Sequence, residues 1–390
     1  MRWFYRCPSC GASYEIEPRR YLCDHCAKGQ ERGEPIRGVL EAEWEGEPEG
    51  EESSIPFPVE RAWFPPVPVG GTPLWRPQRL REELGFSHLY LKDDTLNPTG
   101  SFKDRASFLV AAFARRHRIT KVSLASTGNA ASSMAGIGAA CGLSVVVFLP
   151  RSAPVAKRIQ VLQYGAELRE VDGNYDLAYE QSLEWAEEHH VMSRNTAYNP
   201  MTIEGKKSAS YEIARQLAED FGATKQGWVV PDHLFVPTGD GVILGGVYRG
   251  FENLIRLGRS DRIPTIWACQ AEGSNAIARA LAAGSFDDPR PSSTIADSIS
   301  VDAPRNGFHA LAKLVRHHGR AICVSDDEIL SAQRRLASRT GLFAEPAAST
   351  AFAGFLKAAS EIDRESTVIL LLTGSGLKDV AAAARGVGLS

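Results

Sequence analysis

From residue 85 onward the chain alternates short apolar strands with helices, and few architectures accept that order. HLYLKDD (88–94) reads as a strand, 101–117 as a helix, KVSLAS (121–126) as a strand and AASSMAGIGAACG (130–142) as a small-residue helix that can pack closely on a sheet. SVVVFLP, AKRIQVLQYGA and AELREVD continue as strand, helix and strand. The rhythm returns after 205, with strands in WVVPDHLFVP, IPTIWACQ and STVILLLT and helices over 206–221 and 326–340. Strands apolar on both faces that alternate with helices belong to mostly parallel sheets covered on both sides. With 390 residues and 43% hydrophobic content there is core for two such units. The expectation is α/β: two open twisted mostly parallel sheets with flanking helices, a cleft joining them, and ligands outside the carboxyl ends of the strands.

Four segments fall at such strand ends: SFKDR (101–105), STGNA (126–130), PTGDGVILGG (237–246) and TGSGLKD (373–379). The third can cradle a phosphate, because glycines leave backbone N–H groups open and the next helix points its N-terminus at the anion. It lacks the Lys-Ser/Thr of a nucleotide P-loop, and a tight turn is the plain alternative. Asp240 is odd in such a loop and must point away or cap the helix. In SFKDR, Ser101 reads as an N-cap that places Lys103 in the first turn of an apolar helix. A helix N-terminus and apolar surroundings both disfavour an ammonium there and favour a nucleophilic amine able to form an imine. A lysine snorkelling from an amphipathic helix is the alternative.

Four of the seven cysteines fall in the first 26 residues, as CPSC and CDHC separated by twelve residues. Cys7, Cys10, Cys23 and Cys26 at that spacing fit tetrahedral thiolate ligation of a structural zinc, with iron or redox thiols as alternatives. Metal would supply the folding energy that so short a segment lacks. Cys141, Cys269 and Cys323 read as buried thiols. EAEWEGEPEGEESS (41–54) reads as exposed, acidic chain. The expected division is therefore a four-cysteine ribbon over 1–30, an acidic linker over 31–60, and a body over 61–390 with a smaller α/β subdomain at about 104–200 inserted in the large one. Net charge is −3, so no nucleic acid or membrane partner is expected. MRWFYRCPSCG has no apolar signal region, and a cytoplasmic location is the default expectation.

KDDTLNPTGSFKDR, STGN, NPMTIEGKKSASYEI, FAEPAAS and TGSGLKD, in that order, resemble the fold-type II (tryptophan synthase beta-like) pyridoxal-phosphate enzymes and, within them, the threonine synthase family. The resemblance implies pyridoxal 5'-phosphate as cofactor, a small amino-acid substrate and a homodimer. It makes Lys103 the cofactor-bearing lysine and catalytic base, Asn129 the partner of the cofactor 3'-oxygen, Thr238, Gly239, Asp240, Gly241 and Val242 the phosphate loop, and Thr373 the partner of the pyridine nitrogen. Ser126 and Thr127 would hold the substrate carboxylate, and Ala130 and Thr202 occupy substrate-facing positions of the pattern.

The departures from that pattern bear on substrate. Ala130 stands where threonine is usual, Thr202 where arginine is usual, Ala197 where serine is usual and Ser375 where histidine is usual. Donors for a substrate phosphate are thus substituted, including a bidentate cation. Lys206 or Lys207 is a possible stand-in, with one of the two expected on the exposed side of its helix. The implied activity is a lyase or synthase that abstracts an α-proton and then eliminates or replaces a β- or γ-group on an altered substrate. The alternatives are a threonine synthase acting on O-phosphohomoserine, a hydroxy- or diamino-acid ammonia-lyase, and a non-catalytic interaction protein. His309, His317 and His318 read as surface residues, Glu345 as an N-cap, and the loop 294–307 with Asp297 and Arg305 as structural or substrate-adjacent.

Overall fold

The computed structural model describes residues 1–31, 33–47, 55–151, 155–223 and 227–388, without the side chains of 155–157. The chain opens with strands β1 (Arg2–Arg6), β2 (Ser13–Tyr14) and β3 (Glu41–Glu45). It continues through β4 (Leu74–Trp75), α1 (Gln78–Leu84), β5 (Leu89–Asp93), α2 (Lys103–Arg116), β6 (Lys121–Ala125), α3 (Asn129–Cys141), β7 (Ser144–Pro150), α4 (Val155–Gln163), β8 (Glu167–Val171), α5 (Tyr175–Glu188), β9 (Met192–Ser193) and α6 (Met201–Glu204). The remainder is α7 (Ser208–Asp220), β10 (His233–Pro237), α8 (Val242–Arg256), β11 (Thr265–Ala271), α9 (Ala276–Ala283), α10 (Gly307–Arg316), β12 (Arg320–Val324), α11 (Asp326–Thr340), α12 (Pro346–Ala358), β13 (Val368–Leu372) and α13 (Val380–Arg385).

Two compact units emerge, Met1–Val69 with Lys103–Lys206, and Gly70–Phe102 with Lys207–Ser390. The first holds an antiparallel sheet β2-β1-β3 and a parallel sheet β8-β7-β6-β9. The second holds β12-β11-β10-β13-β5-β4, parallel except for the short β4. The central strands are buried on both faces: every residue of β13 (VILLL) and of β5 (LYLKD) is buried. That is the pattern of parallel strands with helices on each side. In β5 the two-sided burial includes Lys92, whose Nζ donates to Thr72 O at 2.6 Å, Glu212 at 2.7 Å and Gln216 at 3.0 Å. Such a buried charge is tolerated because it is paired and hydrogen-bonded.

The α/β reading and most elements are as expected; Cys269 is buried but Cys141 and Cys323 are only half-buried, and five further details differ. Residues 41–45 are not exposed chain but β3, in register with β1 from Arg2↔Glu45 to Arg6↔Glu41, with Ala42 and Trp44 buried. The alternation in EAEWE, hidden by its glutamates, is the strand signal; 48–54 lie outside the described residues. Helix α2 begins at Lys103, one residue later than a Ser101 cap requires, because Ser101 is bridged to Gly374. Both Lys206 and Lys207 are fully buried, since Gly205–Lys207 is a 3-10 turn rather than a helix with an exposed face. His309 is buried, on the inner face of α10. Glu345 holds the N-cap position of α12 but makes no side-chain cap.

Candidate active site

In the second unit β10 and β13 are neighbours, so Thr238 and Thr373 both follow the carboxyl ends of adjacent parallel strands. The Thr238 N–H donates to Cys269 O at 2.8 Å, and its hydroxyl donates to Val236 O at 2.8 Å, which fixes the start of the glycine loop. Beyond it, the backbone N–H groups of Gly239, Asp240, Gly241, Val242 and Ile243 have no acceptor among the described residues. All but Asp240 are buried. Buried N–H groups are costly to leave unpaired, so this run of five, four of them on buried residues, leading into the 15-residue α8 can serve as the donor set of an anion cradle. Gly241 has φ +80°, and a Cβ there would stand 2.8 Å from Ala310 Cβ and 3.0 Å from Ile277 Cδ1. Asp240 turns away, accepting the Arg305 N–H at 3.0 Å, while its carbonyl accepts the Asn306 N–H. This chemistry fits a phosphate and places the 294–307 loop against the cradle.

The same loop reaches a second group. Ser298 Oγ donates to Glu345 at 3.3 Å, and the Glu345 N–H donates to Gly374 O at 2.9 Å. A Cβ on Gly374 would come within 2.3 Å of a Glu345 carboxylate oxygen, so the glycine lets a buried carboxylate lie directly against the turn after Thr373. The Thr373 carbonyl accepts the Phe102 N–H at 2.9 Å, and Ser375 N–H donates to Gly100 O at 3.0 Å. The chain entering Lys103 is therefore zipped to the chain leaving β13. Glu345 and Ser298 were not expected here; a Glu immediately before a helix with Pro at its first position looks like a cap from sequence.

In the first unit Lys103 is the half-buried opening residue of α2, followed by buried Asp104, Arg105 and Ala106. Ser126, Thr127 and Gly128 form a half-exposed loop between β6 and α3. Ser126 Oγ accepts the N–H groups of Gly128 and Ala131, each at 3.2 Å, leaving its own proton to donate. The N–H groups of Thr127 and Ala130 have no acceptor among the described residues, and the N-cap residue of α3, Gly128, has no side chain to cap them. Asn129 is the first residue of α3 and is buried. A carboxylate suits such a helix start. Thr202 is turned inward: its hydroxyl donates to Asn199 O at 2.7 Å and accepts the Ala197 N–H at 3.2 Å. Lys206 Nζ donates to Thr202 O at 2.6 Å, and Lys207 Nζ to Asn253 at 3.0 Å. Arg194 is a further buried cation, bonded to Thr196 Oγ1 at 2.9 Å and to Ser107 Oγ at 3.4 Å. Burial holds its guanidinium down at about 10, against the pull of Tyr175 and Asp104.

The four N-terminal cysteines converge. Cys7 and Cys26 sulfurs lie 3.8 Å apart, Cys10 and Cys23 sulfurs 3.5 Å, and all four within 4.8 Å of one another. Tetrahedral zinc with Zn–S of about 2.3 Å separates its sulfurs by about 3.8 Å, so the cluster fits such an ion. Each pair sits on a tight turn, with Gly11 N–H donating to Cys7 O at 2.8 Å and Ala27 N–H to Cys23 O at 3.0 Å.

Comparison with known proteins adds three findings. Residues 67–374 match a family model described as "Pyridoxal-phosphate dependent enzyme". Threonine synthase of Methanocaldococcus jannaschii is 33% identical over 400 aligned positions, covering 97% of this chain and 94% of the relative. The Methanosarcina acetivorans threonine synthase is 34% identical, covering 96% and 92%. Among solved structures, a fungal L-serine ammonia-lyase from Rhizomucor miehei superposes with a TM-score of 0.69 at 20% identity, covering 82% of this chain and 98% of that one, a likeness of fold alone.

Proposed function

The chain belongs to the pyridoxal-phosphate-dependent enzyme family, and from that premise we propose that it is a lyase or synthase acting on an L-amino acid. Its reaction removes the α-proton and then eliminates or replaces a group at the β- or γ-carbon. The observation that carries this reading is the run of N–H groups from Gly239 to Ile243 without an acceptor among the described residues, buried at all but Asp240, on a chain with a lysine at the head of a buried helix. In this reading the cradle, from Thr238 to Val242, holds the cofactor phosphate. Asn129 would partner its 3'-oxygen, the Thr373 hydroxyl would partner its pyridine nitrogen, and Lys103 would carry the cofactor. Bound pyridoxal phosphate supplies the electron sink for charge developing at the α-carbon.

The chain's own residues do the rest. Lys103 Nζ, once free, takes the α-proton, helped by a helix N-terminus that disfavours its charged form. The Ser126 hydroxyl and the open N–H groups of Thr127 and Ala130 hold the α-carboxylate and so fix which face of the amino acid meets Lys103. Zinc in the four-cysteine cluster is structural in this reading, since four thiolates leave no open position. The reading extends to a homodimer acting in the cytoplasm.

A second reading, conversion of O-phosphohomoserine and water to L-threonine and phosphate by loss of the γ-phosphate and addition of water at the β-carbon, is favoured by the two relatives covered over more than nine-tenths of both chains. Against it stand Thr202, Ala130 and Ser375 in place of anion donors, and a Thr202 hydroxyl committed within its own turn. The test is α-proton exchange in deuterium oxide together with product analysis. The panel is O-phosphohomoserine, L-threonine, L-serine, O-phosphoserine and 2,3-diaminopropionate. Phosphate release from O-phosphohomoserine alone establishes the second reading. Keto acid or ammonia from an unphosphorylated amino acid establishes the first. No exchange with any member of the panel overturns both.

A further inference from the structure

The four-cysteine module shares its core with the parallel sheet of the first unit: Tyr5, Cys7 and Cys23 pack in one cluster with Met134, Met192 and Met201. A buried polar thread leaves the module, beside an exposed contact of Arg19 with His190 at 2.8 Å. Tyr21 stands two residues before Cys23, and its hydroxyl accepts the N–H of Ser193, the last residue of β9, at 2.7 Å. Its ring lies 4.6 Å from that of Tyr198. Ser193 is a junction, 1% exposed: its carbonyl accepts from Asn199 Nδ2 at 2.7 Å, and its hydroxyl accepts the Asn195 N–H at 3.2 Å. The Asn195 amide is fixed in turn, with Nδ2 donating to Ser182 at 2.7 Å and Oδ1 accepting the N–H of Ala125 at 2.7 Å. Ala125 ends β6, and Ser126 begins the half-exposed loop. Every link from Ser193 to Ala125 is buried, so water cannot replace a partner that moves.

We infer that Tyr21 is a positioning residue that couples metal occupancy of the cysteine module to the Ser126–Asn129 loop, and so to the affinity for an L-amino acid. The inference rests on the reading of that loop as the α-carboxylate site. Its physical basis is that no other acceptor among the described residues meets the Ser193 N–H, so the phenol oxygen decides where β9 ends. Without metal the Cys23–Cys26 turn loses its cross-link to Cys7 and Cys10, and Tyr21, two residues before it, is held only by its ring packing on the shared core. Coupling of this kind is reciprocal: if metal tightens the amino acid, the amino acid must retain metal by the same factor.

The experiment uses the full chain loaded with cofactor and zinc, with L-threonine as the probe. Three quantities are measured for the parent and for Tyr21→Phe: the L-threonine dissociation constant from the visible absorbance change, the rate of zinc release to a chromogenic chelator with and without L-threonine, and amide hydrogen exchange of a peptide spanning 122–130. In the parent, zinc removal weakens L-threonine about tenfold, the scale of one lost buried hydrogen bond, and L-threonine slows zinc release by a matching factor. Tyr21→Phe keeps its zinc and its cofactor absorbance, binds L-threonine about tenfold more weakly, and no longer responds to zinc removal. Exchange at Ala125 quickens both in the variant and in the zinc-free parent. The inference is overturned if the variant holds zinc and binds L-threonine within twofold of the parent. It is equally overturned if zinc removal lowers the melting temperature while leaving exchange at Ala125 unchanged. The exchange reading needs no cofactor. A protein without cofactor absorbance whose Ala125 still answers to zinc therefore retains the joint and discards the catalytic reading. Should zinc removal unfold the chain, the Tyr21→Phe comparison alone decides.

Discussion

Gly205→Ala sets two effects of opposite sign against each other. Gly205 closes α6 with φ −61° and ψ −29°, a helical conformation that alanine prefers. At an open site the change is worth about +1 kcal/mol. Here a Cβ would stand 2.4 Å from the Arg105 carbonyl oxygen and 3.1 Å from Ala106 Cα. An unstrained carbon–oxygen contact needs about 3.3 Å, so α2 and α6 must separate by about 0.9 Å. Both obstructing atoms are backbone in a buried helix, and no rotamer change relieves them. Overpacking of that kind costs about 1–3 kcal/mol, and backbone obstruction puts this case at the upper end, so the net is a loss of about 1–2 kcal/mol. Arg105 is two residues beyond Lys103, so the same shift moves the Lys103 amine, the proposed base, by a comparable distance. A misplacement near 1 Å costs on the order of a hundredfold in rate. Urea unfolding of parent and variant gives the first quantity, and α-proton exchange on the best substrate of the panel gives the second. A Gly205→Ala protein as stable as the parent, with undiminished exchange, would refute the claim that this contact sets the position of α2.

Three further outcomes are expected. Gly241→Ala places a side chain at φ +80° and 2.8 Å from Ala310, which costs about 1–2 kcal/mol in conformation alone; the purified protein should lose cofactor on dialysis that the parent retains. Lys92→Met removes the ammonium 2.7 Å from the Glu212 carboxylate, which is 11% exposed, and should lower unfolding free energy by about 3 kcal/mol, whereas Lys92→Met with Glu212→Leu should recover most of it. Chelation should remove one zinc per chain and alter the fluorescence of Trp3 and Trp44, whose rings lie 5.1 Å apart in the sheet that carries the cysteines; metal analysis that finds no zinc in freshly purified protein would contradict this.

The α/β order was legible because parallel strands buried on both faces leave little room for polar residues, and VILLL and SVVVFLP show it directly. The cysteine cluster was legible from spacing alone, since thiolate pairs two apart have few other uses. What stayed hidden depended on partners distant in sequence. Glu41–Glu45 read as acidic chain because only pairing with β1 decides which of its residues face inward. One of Lys206 and Lys207 was expected on an exposed face because their acceptors, Thr202 O in the same turn and Asn253 on α8, are met only in the folded chain. Glu345 looked like a cap because the glycine that admits its carboxylate, Gly374, lies 29 residues later. The Tyr21–Ser193 bond joins residues 172 apart and has no local signature at all.

The central claim is that Lys103 carries the cofactor, and borohydride reduction followed by peptide mass spectrometry tests it most directly. The account predicts that the purified protein, once reduced, carries one cofactor-sized label per chain on the peptide containing Lys103, and that Lys103→Ala carries none while its fold is retained. A label on Lys206, Lys207 or any other lysine, or no label on a protein that retains cofactor absorbance, would contradict it.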